Sequence, residues 1–273
     1  MSDVEINKTH WESMAGVHGN GTDEIYDVEA LLAGGDSRTA PEREAIAAAA
    51  GDLAGKRIMH LQSHIGFDAI SMAALGAEVT AVDFSPAALA KAEDLASRRG
   101  VEIATVESEA TSLPAELDES FDVVYANLGA ICWIEDLSAW MRAAAGALVP
   151  GGAVALVDLH PMGLMFEGTD PVRFGFPYAN QGRFEETQDG SYADPDADVE
   201  GRTVVFSHSL EEIFTSARGA GLDVEQLREH LEVEFDCWGG TGGLAKEDDG
   251  LWRIRVDGFA VPILFTLIAR KPA

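Results

Sequence analysis

The middle of the chain alternates between short apolar runs and longer amphipathic segments. The apolar runs predict five strands, at 57–61, 78–82, 102–106, 121–126 and 153–158. Ser85 followed by Pro86 has the sequence of a helix N-terminus, and the amphipathic segments predict helices at 67–75, 86–100 and 137–148. Strands that alternate with helices form a parallel sheet covered by helices on both faces, so an α/β fold is expected.

The remaining segments follow other patterns. Residues 1–55 are predicted to form a helical cap segment, followed by one α/β domain over 56–273. Within that domain, residues 161–206 show no sustained period, which predicts a loop-rich lid insertion. Beyond it, Ser209 and Glu212 predict a capping box, and the expected elements are a helix at 210–219 and strands near 224–231 and 259–268.

The composition is that of an ordinary globular protein. Hydrophobic residues make up 47% and charged residues 24% of the 273 positions, which excludes wholesale disorder. No apolar run reaches the ~18 residues that a transmembrane helix needs, and the acidic start of the chain lacks the features of a signal peptide. Two cysteines, Cys132 and Cys237, are too few for a disulfide framework or a zinc site. A cytoplasmic location is therefore expected.

The net charge narrows the choice of partners. Forty-seven acidic and 19 basic side chains give a formal charge of −28. Such a surface repels phosphate backbones and anionic lipids, so neither nucleic acid nor a membrane is expected as a partner. Only five of the basic residues are lysines. This composition suits a salt-rich cytoplasm, where the self-repulsion is screened, and it equally suits a GC-rich genome.

The strongest chemical signal follows the first predicted strand. The turn at 61–66 has the sequence Leu-Gln-Ser-His-Ile-Gly, a helix follows, and Asp83 ends the second strand 17 residues after Gly66. Doubly wound sheets hold an adenosine with this arrangement, because the turn approaches the ligand and the acid accepts hydrogen bonds from ribose hydroxyls. Three further segments follow in order, at Glu107–Pro114, Phe121–Val124 and Leu148–Gly152.

In this order and at these gaps, the segments resemble those of the class I S-adenosylmethionine-dependent methyltransferases. Four stretches resemble one bacterial and archaeal branch with the first motif His-Leu-Gln-x-His-x-Gly: His60–Gly66, Tyr26–Ala30, His208–Leu210 and Pro262–Phe265. The resemblance implies a Rossmann-like, doubly wound sheet of seven strands, mostly parallel, with an antiparallel last strand. It also implies S-adenosyl-L-methionine as cofactor, and it leaves the substrate open.

The first motif departs from the usual pattern of the family. His60 stands where the family has an acid, and Gln62 and His64 stand where it has glycines, so that only Gly66 remains. Glycines permit close approach of the backbone to a ligand, and bulkier residues could displace the methionine end of the cofactor. Alternatively, Gln62 takes over hydrogen bonds that the acid normally makes. We expect altered but working cofactor binding.

The resemblance also implies roles for single residues. Asp83 would bind the ribose hydroxyls, and Glu109 with the backbone amide of Ala110 would bind the adenine, which Phe84 would flank. The other expected cofactor-binding residues are Tyr26, His60, Gln62, Ser63, His64, Gly66, Ser85, Asn127 and Leu128. The alternatives are ordinary ones: a helix-capping role for Asp83, a solvated surface position for Glu109, and core packing for the others.

Methyl transfer needs a general base only when the acceptor must lose a proton, and a histidine is then the natural choice. His160 follows the fifth strand at the ligand edge of the sheet, so it is the best-placed candidate. His18 and His208 are weaker candidates, since His208 could simply orient the following helix. No metal site is expected, because His60 and His64 lie on a strand and a turn without a further ligand.

The residue types in the insertion at 161–206 indicate the chemistry of the methyl acceptor. The methionines and aromatic residues of the insertion would form a pocket for a flat or apolar small molecule, although a satellite core or a homodimer contact would use the same residues. The expected function is methyl transfer to oxygen or nitrogen of that molecule. A non-catalytic module that binds S-adenosylmethionine or S-adenosylhomocysteine is the alternative. A nicotinamide-dependent reductase is disfavoured, because the turn lacks Gly-x-Gly-x-x-Gly.

Overall fold

Strands from both halves of the chain meet in one central sheet. The computed structural model describes residues 1–20, 25–168, 171–179, 182–194, 196–237 and 242–273. Its strands are β1 (Arg57–Leu61), β2 (Glu78–Asp83), β3 (Ala104–Glu107), β4 (Phe121–Asn127), β5 (Leu148–Leu159), β6 (Phe166–Glu167), β7 (Arg173–Phe174), β8 (Arg183–Asp189), β9 (Glu200–Phe206), β10 (Asp223–His230), β11 (Leu244–Lys246), β12 (Trp252–Val256), β13 (Phe259–Val261) and β14 (Leu264–Arg270). Its helices are α1 (Asp3–Val17), α2 (Val28–Ala33), α3 (Ala40–Ala50), α4 (Phe67–Ala74), α5 (Pro86–Arg99), α6 (Leu137–Ala147) and α7 (Leu210–Gly219).

The central sheet has seven strands in the order β3-β2-β1-β4-β5-β14-β10. The five strands from β3 to β5 are parallel, and β14 runs antiparallel between β5 and β10. The predicted Rossmann-like fold is therefore confirmed. The strand order reverses between β1 and β4, and ligands of such sheets bind outside the carboxyl ends of the strands at this point.

Helices cover both faces of the sheet because successive strand residues point to opposite sides. On one face, Ile58 and Tyr125 pack with Ile46 of α3 and Met72 of α4. On the other face, the partners are α6 and α7, which contribute Met141, Trp140, Ile213 and Ala217. Burial of side chains of this size stabilises the fold by about 1.5–3 kcal/mol each, so the carboxyl edge of the sheet is a rigid platform.

A third layer lies across that edge. It consists of α1 and the antiparallel hairpin β8–β9. The side chain of Asn7 in α1 bonds to both the N–H and the carbonyl of Val204 in β9, each at 2.8 Å, as an additional strand would. Lys8 of α1 forms an ion pair with Glu107 at the end of β3. The helical cap predicted for residues 1–55 therefore includes a helix that lies over the ligand edge.

Two local predictions need correction, and one segment contains more structure than expected. The segment 161–206 is rich in loops, but it also contains the hairpin β8–β9, whose strands pair along their full length and contact α1. Pro262 divides the strand predicted at 259–268 into β13 and β14, since proline cannot donate to the ladder. The capping box is half formed: Ser209 accepts the N–H of Glu212, but the Glu212 carboxylate lies 3.1 Å from Nδ1 of His208.

No helix in the described ranges is both long and apolar enough to cross a bilayer.

The glycine that the first motif retains is required by packing. Gly66 has φ +76°, and a Cβ at this position would lie 2.6 Å from Cβ of Ala92 in α5. A side chain here would push α5 away from the turn, because that distance is far below van der Waals contact.

We expect Gly66→Ala to reduce the free energy of unfolding by roughly 1–3 kcal/mol more than Gly100→Ala, owing to the clash with Ala92. Gly100 is a matched control, because its φ is +78° and its Cβ would meet nothing within 4 Å. Urea unfolding of both variants measures the difference. Equal losses would show that left-handed strain alone, and not the close approach of α5, demands glycine at position 66.

Candidate functional site

The turn after β1 keeps the backbone of a glycine-rich turn although larger residues occupy it. Gln62 and His64 have φ values of 61° and 48°, in the left-handed region. This conformation costs a residue with a side chain roughly 1–2 kcal/mol, and specific hydrogen bonds offset the cost. The Gln62 amide donates to the carbonyl of Ala130 at 2.9 Å and accepts from Nε1 of Trp140 at 2.8 Å. Its side chain is thus held against the core below the turn.

Asp83 holds this turn in place from the end of β2. Its Oδ2 accepts the N–H of His64 at 2.8 Å, and its Oδ1 accepts the N–H of Ser85 at 2.9 Å. Burial raises the pKa of the carboxyl from 3.8 to about 6, although these bonds and the charge of Lys8 oppose the rise. Only 7% of the residue is exposed. Each oxygen keeps acceptor capacity, which suits it to bind a diol.

Two buried polar atoms of the same segment have no partner. They are Oγ of Ser63 and Nδ1 of His60, on residues that are 4% and 3% exposed. Unsatisfied buried polar groups are rare in folded proteins, so both atoms indicate that a polar ligand binds here. Together with the glycine-like backbone and Asp83, they make this turn fit the nucleoside and amino acid parts of S-adenosylmethionine.

The other expected adenosine contacts surround Asp83. Ser85 caps α5 by accepting the N–H of Ala88, and Phe84 beside it is half-buried. Ala110 is buried and Glu109 is exposed, at the end of β3 where Lys8 of α1 approaches. Their roles as adenine ligands remain predictions.

A buried acidic network lies at the carboxyl end of β4. Asn127 donates through Nδ2 to Glu42 at 2.5 Å and to Asp68 at 2.7 Å. Its Oδ1 lies 3.0 Å from Nε2 of His60. Burial, followed by the charge of Asp68, raises the pKa of Glu42 from 4.5 to about 7. The sequence analysis did not identify Glu42 and Asp68, although an acid inside the apolar helix 67–75 was a signal that could have pointed to Asp68.

A second cluster joins the turn to the third layer. Nδ1 of His18 lies 2.8 Å from Nε2 of His64, and Nε2 of His18 lies 2.6 Å from Oγ of Ser191. The Tyr26 ring stacks on His18 with centroids 4.8 Å apart, and its hydroxyl meets that of Tyr192 at 2.5 Å. Burial lowers the pKa of His18 to about 3, so the ring is neutral at physiological pH and binds as a hydrogen-bonding group.

The two remaining histidine candidates differ in the contacts of their ring nitrogens. His160 accepts the N–H of Met162 at Nδ1 and lies 2.9 Å from Glu229 at Nε2, so both ring nitrogens are engaged. Nε2 of His208 bonds to the carbonyl of Ile134 at 2.7 Å, which assigns the hydrogen to Nε2. Nδ1 makes no hydrogen bond but lies 3.1 Å from the Glu212 carboxylate.

A small cavity adjoins His208 at the carboxyl ends of β4 and β5. Its volume is about 10 Å³, room for one water molecule, and its lining includes Ile131, Cys132, Asp158, Leu164, Phe206 and His208. Asp158 accepts the N–H groups of Gly129, Ile131 and Leu159 and is therefore satisfied by backbone. A larger depression of about 550 Å³ lies along the face of α1 that carries Lys8.

The chain is similar to known proteins in both sequence and fold. Residues 63–156 match the methyltransferase domain family. The ubiquinone biosynthesis O-methyltransferase of Xanthomonas euvesicatoria pv. vesicatoria (strain 85-10) is 34% identical over 109 residues. That match covers 40% of this chain and 45% of the relative, so less than half of the relative's length is represented.

Solved structures share the whole architecture. A S-adenosylmethionine-dependent methyltransferase from Mesorhizobium loti superimposes with a TM-score of 0.59 at 20% identity, over 85% of this chain and 98% of that one. A second one, described as putative and from Listeria monocytogenes, gives 0.55 at 16% identity, over 86% and 99%. The chain therefore has the fold of these structures, and residues 63–156 match a methyltransferase domain. Both findings support the predictions of a methyltransferase and of S-adenosyl-L-methionine as its cofactor.

The buried state of Glu42 predicts a pH-dependent difference in stability. The folded pKa of about 7 exceeds the ordinary 4.5, so the stability that protonation gives is present below pH 4.5 and is lost as pH rises through 7. Between these values, the unfolding free energy of the wild type should fall by about 3 kcal/mol relative to that of Glu42→Gln.

Chemical denaturation at several pH values measures this difference. Glu44→Gln, on the exposed face of the same helix, should follow the wild type at every pH. Parallel curves for wild type and Glu42→Gln would contradict the raised pKa.

Proposed function

We propose that this protein transfers the methyl group of S-adenosylmethionine to an oxygen or nitrogen of a small-molecule acceptor. The observation that carries the proposal is the first turn: its glycine-like backbone is fixed by Asp83, and the unpartnered atoms of His60 and Ser63 lie beside it. An altered sequence that preserves this backbone is expected of a working site, because lost binding would remove the reason to maintain left-handed strain at Gln62 and His64.

Different residues would bind the different parts of the cofactor. Asp83 would accept the ribose hydroxyls, and Ala110 with Glu109 would bind the adenine, flanked by Phe84. Asn127 and Leu128 at the end of β4 would contact the methionine end. When bound, the cofactor supplies a methyl group on a positively charged sulfur, so the protein contributes alignment and exclusion of water. The layer formed by α1 and β8–β9, with Tyr26 and His18, provides that exclusion.

Among the three histidine candidates, we propose His208 as the proton acceptor. Its Nε2–H is fixed on the carbonyl of Ile134, and a proton taken up at Nδ1 would be stabilised by the Glu212 carboxylate 3.1 Å away. The residue also lines the small cavity beside the carboxyl ends of β4 and β5. His160 would have to give up the N–H of Met162, and the low pKa of His18 makes it a weak base at neutral pH.

Oxygen is the favoured acceptor atom. The relative that matches part of the chain is named a ubiquinone biosynthesis O-methyltransferase. A hydroxyl must also lose a proton during methyl transfer, and His208 would accept that proton. The neighbouring side chains of Phe206, Leu164 and Ile131 suit an apolar or flat molecule. The charge of −28 argues against nucleic acid as the acceptor.

We expect Asp83→Asn to weaken binding of S-adenosylhomocysteine about 10- to 100-fold, since a hydrogen bond to a charged group contributes about 1.5–3 kcal/mol. Isothermal titration calorimetry gives the dissociation constants. The control is Asp94→Asn, an exposed acid on α5 that pairs with Arg98, and it should bind as the wild type does. An unchanged dissociation constant for Asp83→Asn would show that Asp83 does not bind the ribose.

We expect His208→Gln to lower turnover by about 10²–10⁴-fold, the range for general base catalysis, with cofactor affinity unchanged. The glutamine amide can still donate to the Ile134 carbonyl but cannot take a proton. Turnover is followed as S-adenosylhomocysteine release with a panel of phenols, catechols and small amines. His160→Gln is the comparison, and a larger loss there would reverse the assignment. Cofactor binding by the wild type without turnover on the panel would favour the non-catalytic binding module.

A further inference from the structure

Glu42, Asp68 and His60 form a buried cluster of hydrogen-bond acceptors around Asn127 at the end of β4, called the recess. This inference rests on the proposed function and deepens it. We propose that this recess binds the α-ammonium group at the amino acid end of the cofactor. The carboxylates of Glu42 in α3 and Asp68 in α4 would take the place of the acid that this chain lacks at position 60.

The first argument is convergence. Glu42 lies in the first turn of α3 and Asp68 in the first turn of α4, yet both carboxylates accept a hydrogen bond from Nδ2 of Asn127. Asn127 is the last residue of β4, next to β1, where the strand order reverses. The negative charge is therefore placed at the ligand edge of the sheet.

The second argument is charge. Glu42 is 1% and Asp68 is 8% exposed, and neither takes part in an ion pair with a described residue. Arg38 is buried near Asp68, but its guanidinium makes two hydrogen bonds to Asp36. Buried carboxylates are normally paired with a cation, because burial of an unpaired charge is costly. No cation among the described residues forms an ion pair with Glu42 or Asp68, and a ligand ammonium group would supply one.

The third argument is the direction of the hydrogen bonds. Asn127 gives both hydrogens of Nδ2 to the carboxylates, so its Oδ1 must accept, and Nε2 of His60 must carry the hydrogen. Nδ1 of His60 is then a lone pair, and it is buried without a partner. This nitrogen is the unsatisfied atom of the recess within the described residues, and it is an acceptor beside two carboxylates, which favours a positively charged donor such as an ammonium group.

Other occupants fit less well. Tyr125 and Ser37 donate to Asp68, and Thr39 donates to Glu42, yet these neutral donors leave the charge unbalanced. The side chains do not converge as metal ligands either, since no group of three His, Cys, Asp or Glu in the described ranges could hold an ion. A proton on Glu42 is the remaining competitor, and it would be released when an ammonium group binds.

The experiment compares three ligands by calorimetry. These are S-adenosylhomocysteine, its analogue with hydrogen in place of the amino group, and 5′-methylthioadenosine, which lacks the whole amino acid part. We expect the wild type to bind S-adenosylhomocysteine at least tenfold more tightly than the deaminated analogue. Glu42→Gln and Asp68→Asn should lose at least tenfold of the affinity for S-adenosylhomocysteine while their affinity for 5′-methylthioadenosine stays within twofold.

The controls separate the possible failures. Glu44→Gln on the exposed side of α3 should bind all three ligands as the wild type does, and Asp83→Asn should weaken all three. Equal weakening of all three ligands by Glu42→Gln, or of none, would overturn the proposal and assign Glu42 a structural role. If the variants fail to fold, equal wild-type affinity for S-adenosylhomocysteine and its deaminated analogue would overturn it. If the wild type binds none of the ligands, the proposed function itself fails.

Discussion

The hydrogen bond from the N–H of His64 to the Asp83 carboxylate is the constraint on which the site depends. It joins the end of β2 to the turn after β1 and keeps that turn in a conformation that its side chains disfavour. The start of α4 follows directly from the turn, at Gly66. Because the acid is buried, it is costly to ionise, and it needs donors that only this backbone geometry, or a bound diol, can supply.

This constraint explains how the first motif can lose glycines and keep its shape. A glycine can serve a turn by its freedom of φ, or by the space that a missing Cβ leaves. At positions 62 and 64 only φ matters, so side chains are tolerated when a partner such as Trp140 or His18 compensates the strain. At Gly66 the space itself is needed, since α5 lies where a Cβ would stand. The need for a left-handed φ and the need for space are therefore independent, and in this turn they fall on different residues.

The sequence predicted the central sheet well because most of its strands, such as β1, β4 and β14, are local apolar runs, and the position of Asp83 followed from its place at the end of β2. Features that depend on distant pairing were missed. The hairpin β8–β9 is polar along much of its length and is joined to α1 through Asn7, 197 residues before its partner Val204. The contact of His160 with Glu229 was also not predicted: His160 lies at the sheet edge as expected, but this partner is 69 residues away in the sequence.

The acids at the ligand edge differ in what satisfies them, and this difference assigns them to different tasks. Asp158 is enclosed by backbone N–H groups, so its negative charge is balanced by the protein and it shapes the β4–α6 connection. Asp83 receives two such groups and keeps spare acceptor capacity, as a ligand for neutral hydroxyls requires. Asp68 receives no N–H of the backbone in the described structure, and Glu42 receives only that of Thr39. Their other partners are the neutral hydroxyl and amide groups of Ser37, Thr39, Tyr125 and Asn127. A cofactor with a neutral ribose and a cationic amino acid end matches this difference between Asp83 and the pair of Glu42 and Asp68.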